Sequence, residues 1–121
     1  MEKKIVLAID DNKMQLELFE KMLGTKYEVR IVTSATNAIH YLNLHKADVI
    51  LLDIDMPNIT GFEFLADIKT IPSYFDVPII IISGLSGVDF FNQARNSGAF
   101  DVLSKPVKPD VLVQTIEKAL A

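Results

Sequence analysis

Apolar residues along the chain fall into two kinds of run that take turns. Ile5 to Ile9, Tyr27 to Val32, Val49 to Leu52, Val77 to Ile82 and Phe100 to Leu103 are short, and continuous or rich in β-branched and aromatic residues, as strands covered on both faces are. Between them the apolar positions recur at helical spacing. Met14, Leu18 and Met22 do so with Phe19 and Leu23 beside them, and Gly24 is the predicted stop. Ala35, Ala38, Ile39 and Leu42 follow Ser34, a predicted N-cap. Thr60 with Glu63, and Ser86 with Asp89, have capping-box spacing. The first pair opens a helix through Phe64, Leu65 and Ile68; the second opens one that runs to about Ser97 and ends at Gly98. Pro109 suits the first turn of a last helix carrying Leu112, Ile116 and Leu120. Pro78 is tolerable only where its strand begins. Strand then helix, five times over, predicts an α/β domain with a parallel sheet, right-handed crossovers and helices on both faces. Strand order is only weakly constrained by the pattern.

Length and composition narrow the class. The 121 residues fit one domain, 1–121, without room for a second, and such a chain buries roughly two thirds of its unfolded surface. A free-standing protein and an excised module remain open. Half of the residues are apolar and 23% charged, a globular composition. With no cysteine, disulfides, thiolate nucleophiles and cysteine metal sites drop out, and a reducing compartment fits. The net charge of −4 and the lack of a long Lys/Arg block argue against direct nucleic-acid binding. The apolar run after Lys3-Lys4 is too short for a signal peptide and ends in Asp10-Asp11 without a cleavage-like site. No stretch approaches the roughly 18 apolar residues of a membrane span. A cytoplasmic location is expected.

The chemistry collects at the predicted strand ends. Asp10 and Asp11 follow the first strand, Asp53 the third, Ser83 the fourth, and Lys105 stands just past the fifth. In a parallel sheet these are carboxyl ends, where open α/β sheets bind ligands. The plainer reading of Asp10-Asp11 is a solvated strand end or a cap for the helix beginning near Lys13. Three carboxylates at one edge weaken it, because they repel unless something positive lies among them. Magnesium, a hard cation with oxygen ligands, suits the place. Asp53 is the candidate nucleophile for a phosphoryl group. Asp55 either contributes a backbone carbonyl or turns its carboxylate to solvent at the rim. Met56-Pro57 stiffens that loop. Ser83 either donates to a phosphoryl oxygen or stabilises the following turn, and Gly84 leaves space beside it. Lys105 is the fixed positive charge; Pro106 after it admits a cis peptide, although trans is the prior. His40 and His45, five apart, miss the spacing of a metal pair and are assigned to the helix surface. Walker, dinucleotide and hydrolase-triad patterns are absent.

From Lys4 to about Leu120 the chain closely resembles the receiver domain of two-component response regulators. The resemblance rests on Asp10-Asp11, Asp53 with Met56-Pro57 and Gly61, Ser83, Gly98-Ala99 and Lys105-Pro106. It implies a flavodoxin-like (βα)5 fold with strand order 2-1-3-4-5. It implies Mg2+, with Mn2+ as a substitute, held by Asp10, Asp11, Asp53 and the backbone of Asp55. Asp53 would accept phosphate from a histidine kinase or histidine phosphotransfer protein, with Ser83 as the switch hydroxyl and Lys105 on a phosphoryl oxygen. The implied protein is a signalling switch that is slowly dephosphorylated, not a metabolic enzyme. Its output would be a downstream protein or effector domain on the face of the fourth helix, fifth strand and fifth helix, or a phosphorylation-dependent homodimer. Three positions depart from the family pattern: Thr60 where aspartate is common, Gly84 where alanine is usual, and Val102 where the fifth strand usually has tyrosine or phenylalanine. Phe100, two residues earlier on the same side, is no substitute. Phe90-Phe91 either packs at the boundary or adds to the partner face. Two other readings stand beside this one. A phosphorylation-independent interaction module would explain Val102. Asp53-Ile54-Asp55 also resembles the aspartate pair of haloacid-dehalogenase-type phosphatases, although that pair normally follows the first strand.

Overall fold

A computed structural model describes residues 2–56, 61–85 and 87–121. The elements run β1 (Ile5–Ile9), α1 (Lys13–Leu23), β2 (Glu28–Val32), α2 (Ala35–Leu44), β3 (Val49–Asp53), α3 (Gly61–Lys69), a short 3-10 helix (Pro72–Tyr74), β4 (Ile79–Ser83), α4 (Val88–Asn96), β5 (Asp101–Ser104) and α5 (Pro109–Leu120). All strand pairs are parallel, in the order β2-β1-β3-β4-β5, so the fold is the flavodoxin-like (βα)5 sandwich. The expectations placed on Pro57, Thr60 and Ser86 lie outside the described residues.

Strand alternation divides the interior into two cores. Leu7, Ile9, Ile50, Leu52, Ile79 and Ile81 face one side, where Ala38 and Leu42 of α2, Phe64, Leu65 and Ile68 of α3, and Ala94 of α4 cover them. Val6, Ala8, Val49, Leu51, Ile80, Ile82 and Leu103 face the other, under Leu16, Phe19 and Leu23 of α1 and Leu112 and Ile116 of α5. Because both faces are covered, the central strands read as unbroken apolar runs.

Local signals account for most boundaries. The Asn12 side chain caps α1 by accepting from the N–H groups of Met14 and Gln15, so neither aspartate before it serves as that cap. Ser34 Oγ accepts from Asn37 N–H at α2 as predicted, and Pro109 occupies the first turn of α5. Gly24 follows α1 with a helical φ of −64°. A Cβ there would sit 2.6 Å from the Glu20 carbonyl oxygen, so close approach explains the glycine better than left-handed geometry. At α4 the N-cap is Gly87, φ +116°, without a side-chain bond.

One helix face also differs from the pattern. Met14 and Leu18 are exposed, at 74% and 47%, whereas Leu16, Phe19 and Leu23 are buried. Helix α1 carries apolar residues on two sides, and the sheet takes the 16-19-23 stripe. Met14 and Leu18 are left on the surface, whereas Met22 of the same stripe packs partly buried against the core under α1 and α5.

Candidate functional site

The sheet ladders run past the strands and fix the loops that carry the polar residues. Asp10 N–H donates to the Val32 carbonyl at 3.2 Å, Ile54 N–H to Ile82 at 3.3 Å, and Lys105 N–H to Ser83 at 2.9 Å. Asp10, Asp53, Ser83 and Lys105 thereby gather at the carboxyl edge, at the ends of four neighbouring strands. The aspartate pair divides as adjacent residues must. Asp10 is buried with its strand's inward side and Asp11 is exposed.

Asp10, Asp11 and Asp53 each offer a carboxylate oxygen within 4.8 Å of the others. Asp10 Oδ1 accepts from Asn12 N–H at 2.9 Å, while Oδ2 is buried with no hydrogen-bond partner. Burial pushes the Asp10 carboxyl up to about 7; the Asn12 N–H opposes this, the neighbouring Asp53 carboxylate adds to it, and Lys105 opposes it. A buried, unpartnered carboxyl oxygen facing two more carboxylates is an environment a hard divalent cation relieves. The donor set fits such an ion.

Asp53 is 4% exposed. Its Oδ1 accepts from Asp55 N–H at 2.8 Å and its Oδ2 from Lys105 Nζ at 2.9 Å. Burial would depress the Lys105 ammonium, but the Asp53 hydrogen bond and the charges of Asp53, Asp55 and Asp10 outweigh it and hold it above its ordinary value. The Lys105–Pro106 peptide is cis.

Asp55 is exposed at the rim of the site, yet its carboxylate is engaged by neighbours rather than left to solvent alone. Its carboxylate is turned toward the end of β4, Oδ1 accepting from Ser83 Oγ at 2.9 Å and Oδ2 from Gly84 N–H at 2.7 Å. Lys105 Nζ lies 3.5 Å from Oδ2. Burial would raise this carboxyl; the bonds from Gly84 and Ser83 and the charge of Lys105 overcome it and hold Asp55 below the usual carboxylate value. Ser83 Oγ also accepts from Leu85 N–H at 2.9 Å, so the hydroxyl both fixes the turn and faces the site. The N–H of Gly84 is a donor that the sequence pattern does not reveal, since there the glycine stands out for its missing Cβ. A Cβ would lie 3.5 Å from Asp55 Oδ2, an ordinary contact, so the glycine is not required by packing against that carboxylate.

The remaining candidates lie away from this cluster. His40 and His45 are exposed, as expected. Val102 is half-buried against the α2–α4 core, opposite Ile81, while Phe100 is 45% exposed. Phe90 packs on the same core, 5.8 Å from the Phe62 ring and 6.0 Å from Phe91.

A parallel sheet with an acidic cation site at its carboxyl edge defines an α/β ligand-binding class. The family model for the response regulator receiver domain matches residues 6–117, and the chain belongs to that family. It is 34% identical over 115 residues to the two-component response regulator ARR6 of Arabidopsis thaliana, covering 85% of this chain and 62% of that protein. It is 36% identical over 114 residues to a protein-glutamate methylesterase/protein-glutamine glutaminase of Clostridium acetobutylicum, covering 90% of this chain and 32% of that protein. The chain thus spans less than two thirds of the length of these curated relatives. Among solved structures, chemotaxis protein CheY4 of Vibrio cholerae superposes with a TM-score of 0.92 at 28% identity, covering 98% of this chain and 99% of that one. Family membership leaves the dehalogenase-type alternative without support. Among the described residues, no helix is long and apolar enough to cross a membrane.

Proposed function

We propose that this chain, as one receiver domain over 1–121, accepts a phosphoryl group on Asp53 from a histidine kinase or histidine phosphotransfer protein and thereby switches its partner contacts. One observation carries the reading: Asp53, buried at the end of β3, shares its carboxylate with Lys105 Nζ at 2.9 Å and lies in the cluster with Asp10 and Asp11. In the transfer, an Asp53 oxygen attacks phosphorus, the bond to the donor imidazole nitrogen breaks, and the imidazole leaves with the electron pair. Lys105 neutralises charge on the transferred group, and Ser83 and Gly84 N–H are its other donors. Asp10, Asp11 and Asp53, with the Asp55 backbone carbonyl, would hold Mg2+, or Mn2+ in its place, which offsets charge on the carboxylates and phosphoryl oxygens. Water later hydrolyses the acyl phosphate and resets the switch.

Exposed apolar side chains lie on the segments that lead away from the site residues. Met14, Leu85 and Val88 are 74%, 58% and 74% exposed, and Val111 stands beside Lys105's loop. They suit a protein phosphodonor. The α4-β5-α5 face, with Phe91 at its edge, is the proposed output surface for a downstream protein, an effector domain or a phosphorylation-dependent homodimer. A cytoplasmic setting goes with this reading, and the cysteine-free composition fits a reducing compartment.

The test is intact-protein mass after incubation with acetyl phosphate. A phosphoryl adduct that needs Mg2+ and is absent from folded Asp53→Asn is expected. No adduct in folded wild-type protein under any condition overturns the proposal. Val102, where the family usually has an aromatic side chain, favours a second reading, a phosphate-independent interaction module. That reading requires unmodified protein to bind its target as tightly as phosphorylated protein.

A further inference from the structure

Three donors converge on one internal anion. Ser83 Oγ, Gly84 N–H and Lys105 Nζ reach the Asp55 carboxylate at 2.9, 2.7 and 3.5 Å. These are the groups that the proposed function assigns to the phosphoryl oxygens, and the role of the Asp55 carboxylate rests on that reading. The serine hydroxyl and the glycine N–H carry a single proton each, whereas the lysine ammonium carries three. Lys105 can therefore serve Asp53, Asp55 and a phosphoryl group together. Ser83 and Gly84 cannot serve Asp55 and a phosphoryl group at once. We propose that Asp55 is a resident phosphoryl surrogate: its carboxylate fills the phosphoryl-binding donors in the unmodified protein, and an incoming phosphoryl group must displace it.

Asp55 is thus a competitor built into the loop that carries Asp53, and it sets how readily the site takes a phosphoryl group. The geometry suits displacement. Asp55 follows Asp53 by two residues, and its backbone N–H is already tied to Asp53 Oδ1 at 2.8 Å. Its side chain alone has to leave for the donors to change partner, without a shift of the acceptor.

Beryllofluoride, a phosphoryl analogue that coordinates to a carboxylate, is the probe, titrated at saturating Mg2+ into wild type, Asp55→Asn and Asp55→Ala and followed by amide NMR. Removing a charge-assisted competitor is expected to tighten analogue binding about tenfold. The Gly84 amide proton is expected downfield in free wild type, upfield in the free variants, and downfield again when the analogue is bound. Loss of the Asp55 charge alone also favours an anion, so the comparison is repeated in a Ser83→Ala background. Competition for donors makes the gain shrink there, whereas a bulk charge effect leaves it intact. An undiminished gain overturns the inference, as does unchanged or weaker analogue binding in both single variants. If wild type takes neither the analogue nor phosphate from acetyl phosphate, the receiver reading falls as well. If wild type takes both and the Asp55 variants bind no tighter, the surrogate alone falls. Asp55→Asn keeps the side chain's shape and secures the test should Asp55→Ala fail to fold.

Discussion

At the scale of single residues, Asp10 is a carboxyl whose charge the fold opposes. Its Oδ2 has no partner, and burial beside Asp53 pushes its carboxyl from 3.8 to about 7. Between those values the unfolded chain has already lost the proton that the folded, metal-free protein retains. Stability therefore falls as pH rises through this window and levels off above about 7. Asp10→Asn removes the slope. Each pKa unit corresponds to about 1.4 kcal/mol, so the variant should gain on the order of 2–4 kcal/mol over metal-free wild type at pH 8, and little at pH 4. Urea unfolding in EDTA at the two pH values reads this directly. A wild-type stability that is flat from pH 4 to 8 would show that Asp10 ionises freely inside the fold.

At the scale of elements, the site depends on how closely α3 approaches the end of β3. Gly61 opens α3, and a Cβ there would lie 2.3 Å from Ile54 Cβ and 2.9 Å from its Cα. Ile54 is the residue between Asp53 and Asp55, so the helix cannot give way without moving both carboxylates. Gly61→Ala should cost about 1–3 kcal/mol by overpacking and also slow acetyl-phosphate labelling of Asp53, read by urea unfolding and intact mass. Ser34→Ala, which removes only the α2 cap far from the acceptor, should cost about 1 kcal/mol and leave labelling unchanged. The legible part of the sequence divides along the same lines. Ile5–Ile9 and Ile79–Ile82 are plain in it because strands covered on both faces have unbroken apolar runs, and strand ends then place Asp10, Asp53, Ser83 and Lys105 together. The buried stripe of α1 differs from the predicted one because Met14 and Leu18 share the helix with Leu16 and Phe19, and periodicity cannot say which of two apolar stripes meets the sheet. The turn of the Asp55 carboxylate toward Ser83 and Gly84 is hidden for another reason. It depends on Ser83 Oγ and Gly84 N–H, 28 and 29 residues further on. The register that brings Asp53 opposite Ile82 is a property of the assembled sheet.

At the scale of the whole molecule, the two cores hold one charged edge that neither could hold alone. The β1–α1 loop supplies Asp10 and Asp11, the third strand supplies Asp53, and both are pinned to the same sheet between covered faces. A cation binding the three carboxylates therefore ties separate segments together and stabilises the entire fold by mass action. At a hundredfold excess over its Kd the gain is about 2.7 kcal/mol, which for a domain of this size raises Tm on the order of 10 °C. Mg2+ added to the metal-free protein at pH 8 should produce such a shift. It should be lost in Asp10→Asn and Asp53→Asn, each of which removes a charged ligand. Asp55→Asn discriminates further. If Asp55 meets the metal through its backbone carbonyl, and its carboxylate belongs to Ser83 and Gly84, most of the Mg2+ shift survives that substitution while phosphoryl-analogue binding tightens. Loss of the Mg2+ shift in Asp55→Asn would instead make the carboxylate itself a metal ligand, and would require it to leave Ser83 and Gly84 whenever metal binds.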